Sequence, residues 1–151
     1  MIFLPAADIP VFVGLGRVDL GITGIDQVKE SRTTEVEQIL DLGFGKCKLQ
    51  VQAPQKGTIQ DPSDLIGKNV VTSFVYLTRA YFEKLEMDTG REEAKGSTNI
   101  QYVGGSVEAA CALGVADGIV DLVGQLYIFT CLCVPALAHP TSQLFRVWHE
   151  C

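Results

Sequence analysis

The sequence predicts an α/β fold with parallel strands, and two features of the chain lead to that prediction. Short apolar segments with strand character alternate with segments that carry helix-start signals, in the order strand, helix, strand, helix. The composition, with 47% hydrophobic and 20% charged residues, is that of a globular protein. A chain of 151 residues is long enough for one ordinary domain or for two small lobes.

The start of the chain predicts two strand–helix pairs. The segment IFLPA at residues 2–6 has strand character, and Asp8 follows as the N-cap of a short helix with Pro10 in its first turn. The segment DLGITG at residues 19–24 predicts a buried strand that ends in a glycine turn. Asp26 then lies at the start of a second short helix.

The middle of the chain predicts a third helix, a strand and a capped helix start. Thr34 and Glu37 have the spacing of a capping box, which predicts a short helix that Gly43 ends. The segment CKLQVQAP at residues 47–54 alternates apolar and polar side chains, as a half-exposed strand does. Asp61 caps the helix start in DPSDLIGK, where proline occupies the first helical position.

The last third predicts two strand–helix units and a final strand. NVVTS at residues 69–73 is a strand, and Ser73 caps the long amphipathic helix behind it. The apolar residues of that helix repeat at three- and four-residue steps: Phe74, Leu77, Tyr81, Phe82 and Leu85. IQYV at residues 100–103 is the next strand, Ser106 caps the following helix, and GIVDLV at residues 118–123 is the last strand.

Three strand ends are followed by glycine or hydroxyl residues and then by a helix start, at residues 21–24, 71–73 and 104–106. In open parallel sheets such ends meet at one crevice, where ligands bind. Helix N-termini there favour anions, because their N–H groups and the helix dipole point at the ligand. The alternative is plain capping, in which Ser73 and Ser106 only close their own helices.

Four acidic residues are candidates for ligand binding. Asp26 follows the glycine turn GITG, although it is equally compatible with a first-turn acid that complements the helix dipole. Glu108 lies in the first turn of a helix, Asp117 precedes the last strand, and Asp121 lies within it. Paired acids at a strand end suit ribose hydroxyls or a Mg²⁺ ion with its waters. The alternative is a strand end that has reached water.

Charge and cysteine content exclude several classes of protein. A net charge of −6 argues against general nucleic-acid binding, which needs clustered Lys and Arg. The longest apolar run, residues 126–138, includes a proline and is too short to span a membrane. The cysteines are odd in number and lack disulfide-framework spacing, and the first basic residue is Arg17, so we expect a reduced, cytoplasmic setting.

Four segments of the chain resemble ATP phosphoribosyltransferase of the fungal long-chain type. They are FLPAADIPVFVGLGRVDLGITGIDQVKES, GKCKLQVQAP, LIGKNVVTSFVYLTRAYFEKLE and GSVEAACALGVADGIVDLV, with order and spacing kept over residues 2–123. The family signature is Glu, five residues, Gly, one residue, a small residue, two residues, Ile or Val, one residue, Asp and an aliphatic residue. The chain matches it through Glu108, Gly114, Ala116, Ile119, Asp121 and Leu122.

The resemblance implies a two-lobed fold like the type II periplasmic binding proteins, with the active site in the cleft. By this resemblance residues 1–47 are a partial first lobe, residues 48–123 are the second lobe, and residues 124–151 are a tail foreign to the family. We expect the first lobe to be incomplete, because the first strand and a basic segment of family members have no counterpart here. The regulatory C-terminal domain of the family has no counterpart either.

The resemblance also implies an activity, the first step of histidine biosynthesis: phosphoribosyl transfer from phosphoribosyl pyrophosphate to N1 of the adenine of ATP. Mg²⁺ accompanies the pyrophosphate substrate, the full-length enzyme is a homo-oligomer, and catalysis needs no nucleophile. Neither nucleic acid nor a membrane is an expected partner. The predicted substrate-binding residues are Thr23, Gly24, Asp26, Glu108, Asp117 and Asp121, and no residue is assigned as catalytic or as a metal ligand. The alternative function is a non-catalytic two-lobed module that binds a small ligand.

The chain departs from the family signature directly after the last strand. The family has Ser/Thr-Gly-x-Thr there, whereas this chain has Gln125, Leu126, Tyr127 and Ile128, which are unsuited to cradle a ribose 5-phosphate. We therefore expect this chain to be inactive, and we interpret the tail as an unspliced intron or a shifted frame. A zinc site from Cys131, Cys133, His139, His149 and Cys151 is the minor alternative, because Cys-x-Cys is not the usual spacing.

Overall fold

The computed structural model describes residues 1–54, 57–90 and 97–124 and the strand at 142–145. The contacts between Cα atoms divide the chain into two compact units, Met1–Lys46 and Cys47–Glu150, which we call unit 1 and unit 2. Each is described by itself below.

Unit 1 contains two short helices that contact each other, α1 (Ile9–Gly14) and α2 (Ile25–Ser31). Both lie where the sequence predicts them. Helix α1 begins after Asp8 with a proline in its first turn, although the Asp8 side chain makes no capping hydrogen bond. Helix α2 begins after Gly24 and ends at Arg32, whose φ of 55° is left-handed and stops the helix.

Three other predictions for unit 1 are wrong. Residues 2–6 and 19–24 are not strands, and residues 33–45 form no helix. A strand needs a neighbour for its N–H and C=O groups, and the described residues of unit 1 contain no paired strand. The expected capping box fails because the Thr34 hydroxyl bonds Glu35 at 3.1 Å instead of a helix N–H.

The described residues of unit 2 form a sheet with two helices and one 3₁₀ turn, the latter at Pro62–Leu65. Its further elements in chain order are β1 (Cys47–Pro54), β2 (Asn69–Thr72), α3 (Val75–Thr89), β3 (Asn99–Tyr102), α4 (Val107–Ala112), β4 (Gly118–Gly124) and β5 (Ser142–Phe145). The predicted strands β1 to β4 and helices α3 and α4 are therefore confirmed, with shifts at their ends. The helix predicted after Asp61 is only a 3₁₀ turn. The expectation that residues 118–123 form the last strand is wrong, because β5 follows and pairs with β1. Among the helices that the structure describes, none combines the length and the apolar character required to cross a membrane.

The strand order in the sheet of unit 2 is β3-β2-β4-β1-β5. Strands β3, β2 and β4 are parallel, as predicted, since α3 and α4 supply the crossovers that parallel neighbours need. Strand β1 departs from the prediction, because it runs antiparallel to both β4 and β5. In the described residues of its connection to β2, 57–68, the helical structure is the short 3₁₀ turn, which is too short to serve as the crossover of a parallel pair.

Each face of the sheet is covered by one helix. The alternation of β1 places Leu49, Val51 and Ala53 in the core beneath α3, whose Phe82 is 1% exposed. The opposite face packs on α4 through a smaller cluster, which comprises Val71, Val107, Ala110, Ala116 and Ile119. Neighbouring residues of β2 and β4 thus face opposite clusters, which fixes the register of the two central strands.

The helix starts of unit 2 differ from the prediction at two serines. Ser73 does not cap α3: the N-cap residue is Phe74, and the Ser73 hydroxyl donates to the carbonyl of Val103 at 2.8 Å. Ser106 precedes α4 but makes no capping hydrogen bond. Asp61 does cap the 3₁₀ turn, as predicted, through a hydrogen bond from the backbone N–H of Ser63.

Candidate functional site

The carboxyl ends of β3, β2 and β4 lie along one edge of the sheet, because the three strands are parallel. Thr72 is paired with Tyr102 on one side and with Val120 on the other. The residues that follow these positions are therefore neighbours, although the sequence separates them by up to 48 positions. Asp121 comes directly after Val120, and the turn that begins α4 follows β3.

Asp121 and Glu108 lie close enough for the charge of one to act on the other. The Asp121 carboxylate is half-buried and accepts a hydrogen bond from the backbone N–H of Leu122 at 2.8 Å. Burial raises the pKa of Asp121 above its usual 3.8, the Leu122 N–H lowers it, and the negative charge of Glu108 raises it further. Glu108 lies in the exposed first turn of α4. Two carboxylates whose negative charges repel each other can bind a cation or accept hydrogen bonds from ribose hydroxyls.

The raised pKa of Asp121 predicts a specific pH dependence of stability. The folded state holds this proton more tightly than the unfolded state, so the free energy of unfolding falls as pH rises from 3.8 through the raised pKa. Asp121→Asn is expected to remove this contribution, and Glu108→Gln to move the Asp121 pKa downward. Denaturation at a series of pH values, with NMR titration of the carboxyl groups, measures both effects.

The exposed carboxylate of Asp88 provides the control for this experiment. Asp88→Asn is expected to change the free energy of unfolding by less than about 0.5 kcal/mol at neutral pH. An Asp121 pKa that does not respond to Glu108→Gln would contradict the described proximity of the two groups.

Asp117 lies at the other end of β4. Its carboxylate accepts a hydrogen bond from the backbone N–H of Asn69 at 3.0 Å, and its own N–H donates to the Asn69 carbonyl at 2.9 Å. Asn69 begins β2, so these bonds hold the amino edge of the sheet. With four residues at about 3.3 Å each, Asp117 and Asp121 are about 13 Å apart along the strand. The structure therefore does not bring Asp117 to the edge that carries Asp121.

Cys111 lies on α4 near Asp117, away from the carboxyl edge. Burial raises the pKa of its thiol to about 11, and the negative charge of Asp117 contributes in the same direction. The thiol is therefore protonated at neutral pH, and a protonated thiol is a poor nucleophile. We therefore assign Cys111 no role in covalent catalysis.

The turn between β3 and α4 holds a residue in an unfavourable backbone conformation. Ser106 has φ 53° and ψ 36°, the left-handed region that non-glycine residues rarely adopt. Such strain costs of the order of 1 kcal/mol and concentrates at functional sites. It occurs here two residues before Glu108, at the same carboxyl edge as Asp121.

In unit 1, the predicted site residues Thr23, Gly24 and Asp26 lie together in the turn that begins α2. The Thr23 hydroxyl donates to the carbonyl of Ala6 at 2.9 Å and so ties this turn to the loop before α1. Gly24 is the N-cap, and a Cβ there would overlap the carboxylate of Asp26. Asp26 is 8% exposed and accepts a hydrogen bond from the Gln27 side chain at 2.9 Å. A side chain at position 24 would therefore require the Asp26 carboxylate to move.

Within the described parts of both units, no group of three or more His, Cys, Asp or Glu side chains is placed to hold a metal ion. Glu108 and Asp121 offer carboxylate oxygens, the ligands that Mg²⁺ takes, but two carboxylates suit an ion that keeps several waters or substrate oxygens. The candidate zinc ligands in the tail, Cys131, Cys133, His139, His149 and Cys151, lie outside the described residues.

Sequence reasoning included Thr72 in one of the three strand ends but assigned it no role. It is fully buried, and its hydroxyl donates to the carbonyl of Val120 at 2.8 Å. The sequence signal for a role of Thr72 is its hydroxyl at the end of the apolar strand NVVT. A buried hydroxyl there needs a hydrogen-bond partner. The sequence could not show that this partner lies directly before Asp121.

Comparison with known proteins identifies the family. The family described as HisG: ATP phosphoribosyltransferase matches residues 5–125. The chain is 62% identical over 125 residues to the ATP phosphoribosyltransferase of Candida glabrata, covering 82% of this chain and 41% of that protein. It is 64% identical to the Yarrowia lipolytica enzyme and 58% identical to the Saccharomyces cerevisiae enzyme, in each case over 123 residues, 82% of this chain and 40% of theirs. The chain belongs to the ATP phosphoribosyltransferase family.

Solved structures support the same fold. The ATP phosphoribosyl transferase (HisG:HisZ) complex from Thermotoga maritima superimposes with a TM-score of 0.71 at 21% identity, over 96% of this chain and 61% of that one. A cysteine-binding protein from Campylobacter jejuni superimposes with a TM-score of 0.54 at 14% identity, over 99% of this chain and 54% of that one. The fold class is therefore the α/β fold of ATP phosphoribosyltransferases and type II periplasmic binding proteins, of which this chain covers a part.

Two features of the match bear on the site. The family match contains the whole signature from Glu108 to Leu122. It ends at residue 125, the first residue of the segment Gln125 to Ile128, which stands where the family has Ser/Thr-Gly-x-Thr. The chain spans about two fifths of the length of the curated ATP phosphoribosyltransferases that it matches. The family membership does not favour the alternative of a non-catalytic ligand-binding module.

Proposed function

We propose that this chain is a portion of an ATP phosphoribosyltransferase, the enzyme that transfers phosphoribosyl from phosphoribosyl pyrophosphate to N1 of the adenine of ATP. The observation that carries the proposal is the Glu108–Asp121 pair. The family signature runs between these two residues, and both lie at the carboxyl edge of the parallel strands, where α/β sheets bind ligands.

Unit 2 would bind phosphoribosyl pyrophosphate at this edge. The carboxylate of Asp121 is a suitable acceptor for ribose hydroxyls, and Glu108 adds a second negative group beside it. Mg²⁺ bound to the pyrophosphate supplies charge neutralisation of the leaving group. A nearby cation also favours the ionised form of Asp121, which opposes the effect of burial and of Glu108 on its pKa.

Unit 1 would bind the nucleotide through the turn of Thr23, Gly24 and Asp26. Gly24 lets the backbone come close to a ligand, and Asp26 offers an acceptor beside the first N–H groups of α2. The hydrogen bond from Thr23 to Ala6 fixes the shape of this turn. These properties suit hydrogen bonding to a nucleoside, which is the role that the family resemblance assigns to the turn.

The described groups support catalysis by positioning rather than by covalent chemistry. The thiol of Cys111 is neutral and lies away from the carboxyl edge. The carboxylates of Asp121 and Glu108 would stabilise positive charge that develops at the ribosyl carbon as pyrophosphate leaves. Alignment of the adenine N1 with that carbon would supply much of the remaining acceleration.

The test is a titration of the whole chain with Mg²⁺–phosphoribosyl pyrophosphate and, separately, with ATP, followed residue by residue by NMR. We expect phosphoribosyl pyrophosphate to perturb Asp121 and Glu108, and ATP to perturb Gly24 and Asp26. A panel of amino acids and oxyanions is the control. Perturbation of these residues by an amino acid, with no response to either substrate, would contradict the proposal.

We further propose, from the family resemblance, how the chain divides into lobes, its oligomeric state and its cellular compartment. Residues 1–47 form part of a first lobe, residues 48–123 form the second lobe, and residues 124–151 form a tail that the family lacks. The full-length enzyme would be a homo-oligomer in the cytoplasm, with small-molecule substrates and neither nucleic acid nor membrane as a partner. The free thiols of Cys47 and Cys111 are compatible with a reducing compartment.

A further inference from the structure

Two consecutive hydroxyls at the end of β2 bind the strands on either side of it. Thr72 Oγ1 donates to the carbonyl of Val120 in β4 at 2.8 Å. Ser73 Oγ donates to the carbonyl of Val103, directly after β3, also at 2.8 Å. Because β2 lies between β3 and β4, these two bonds reach in opposite directions across the sheet. We call the two residues the hydroxyl clamp.

Each bond of the hydroxyl clamp ends directly before a part of the candidate site. Val120 is followed by Asp121, and Val103 is followed by the glycine turn that leads into α4 and Glu108. The backbone pairing of β2 with β4 ends at the Thr72–Val120 position. The side-chain bond of Thr72 is therefore the last described tie between β2 and β4 before Asp121.

Protein groups occupy every hydrogen-bonding position of the Thr72 hydroxyl. It also accepts hydrogen bonds from the backbone N–H of Phe74 at 2.9 Å and from the hydroxyl of Thr78 at 3.4 Å. A hydroxyl has one donor and two acceptor positions, so this group has no capacity left for a ligand. Since it is also fully buried, Thr72 acts on the site through the elements that it holds.

We infer that the hydroxyl clamp sets the separation of Glu108 and Asp121, which makes Thr72 and Ser73 positioning residues for the site. The consequence for substrate rests on the proposed function, whereas the geometric role does not. Without the clamp, the end of β4 and the start of α4 would lose side-chain ties to their common neighbour β2. The interaction of the two carboxylates, which depends on their distance, would then weaken.

The test measures that interaction as the change in the Asp121 pKa caused by Glu108→Gln, determined by carboxyl NMR titration of the whole chain. In Thr72→Val and in Ser73→Ala we expect this change to become smaller, since charge interactions decline with distance. Thr72→Ser, which keeps the hydroxyl, should restore it. In the same variants, affinity for Mg²⁺–phosphoribosyl pyrophosphate should fall by up to about tenfold, the factor that corresponds to the loss of one hydrogen bond.

Thr98→Val is the matched control. Thr98 is a buried threonine whose hydroxyl donates to Glu86 at 2.7 Å, but it lies before β3, at the amino edge of the sheet. It should lower stability without changing the response of Asp121 to Glu108→Gln. If Thr72→Val does not fold, Ser73→Ala alone tests the inference. Ser73 is only partly buried, so its truncation disturbs the core less.

An unchanged response of the Asp121 pKa in folded Ser73→Ala and Thr72→Val would overturn the inference. So would a failure of Thr72→Ser to restore the response. The pKa titration uses no substrate and therefore tests the hydroxyl clamp independently of substrate binding. A chain that binds no phosphoribosyl pyrophosphate would contradict only the proposed function.

Discussion

Phe82→Ala is expected to lower the free energy of unfolding of unit 2 by about 3–5 kcal/mol. Phe82 is 1% exposed and belongs to the core cluster that joins α3 to the sheet, together with Leu49, Val51 and Leu65. Its ring meets the edge of Tyr81 with ring centroids 5.3 Å apart. The truncation removes this contact and leaves a cavity that the rigid sheet cannot fill. Urea denaturation monitored by circular dichroism measures the loss.

Met87→Ala is the control on the same helix. Met87 is 67% exposed, so its truncation should change stability by less than about 0.5 kcal/mol. A Phe82→Ala chain that is as stable as the Met87→Ala chain would show that α3 does not pack on the sheet as described. Typical domains have only about 5–15 kcal/mol of total stability, so Phe82→Ala removes a large share.

The elements of unit 2 could be predicted because their signals are local. Strand β1 shows its half-exposed character in the alternation of CKLQVQAP, and the structure buries Leu49, Val51 and Ala53 accordingly. The direction of β1 could not be predicted in the same way. Antiparallel pairing with β4 depends on residues about 70 positions away, and no pattern within β1 encodes them.

The strands predicted for unit 1 show the limit of local patterns more clearly. IFLPA and DLGITG have strand composition, yet both are irregular, and Ile2 and Ile22 are exposed. Strand composition describes a segment that fits a sheet, and a sheet forms only where partners satisfy the backbone groups. The helices α1 and α2 were predicted correctly because a helix satisfies its own hydrogen bonds.

The candidate site was predictable in its residues but not in its arrangement. The spacing of Asp117 and Asp121 indicates the same strand face, whereas only the pairing with β2 reveals that they lie at opposite edges. Glu108 and Asp121, which the sequence separates by a helix and a loop, are neighbours because α4 begins at the carboxyl edge. Ser73, which was predicted as a cap, bonds Val103 instead, since a hydroxyl bonds a nearby unsatisfied group, whichever element supplies it.

Restoring the family residues after β4 is expected to increase affinity for Mg²⁺–phosphoribosyl pyrophosphate by about a hundredfold. The change is Gln125→Ser, Leu126→Gly and Ile128→Thr, which reinstates the Ser/Thr-Gly-x-Thr signature that this chain lacks. Two added hydrogen bonds to a phosphate, at about 1.4 kcal/mol each, correspond to that factor. Glycine permits the close backbone approach, and the hydroxyls add donors. Calorimetric titration of the restored and original chains measures the gain.

The matched control changes the same three positions to alanine, which supplies neither hydroxyls nor the freedom of glycine, and should give no comparable gain. In the restored chain, Asp121→Asn should cancel most of the increase, because Asp121 lies at the carboxyl edge, four residues before Gln125. Asp117→Asn should preserve it, since Asp117 binds Asn69 at the opposite edge and asparagine keeps an acceptor oxygen. Equal losses from the two substitutions would contradict the separation of these aspartates, and no gain on restoration would contradict the proposed phosphoribosyl site itself.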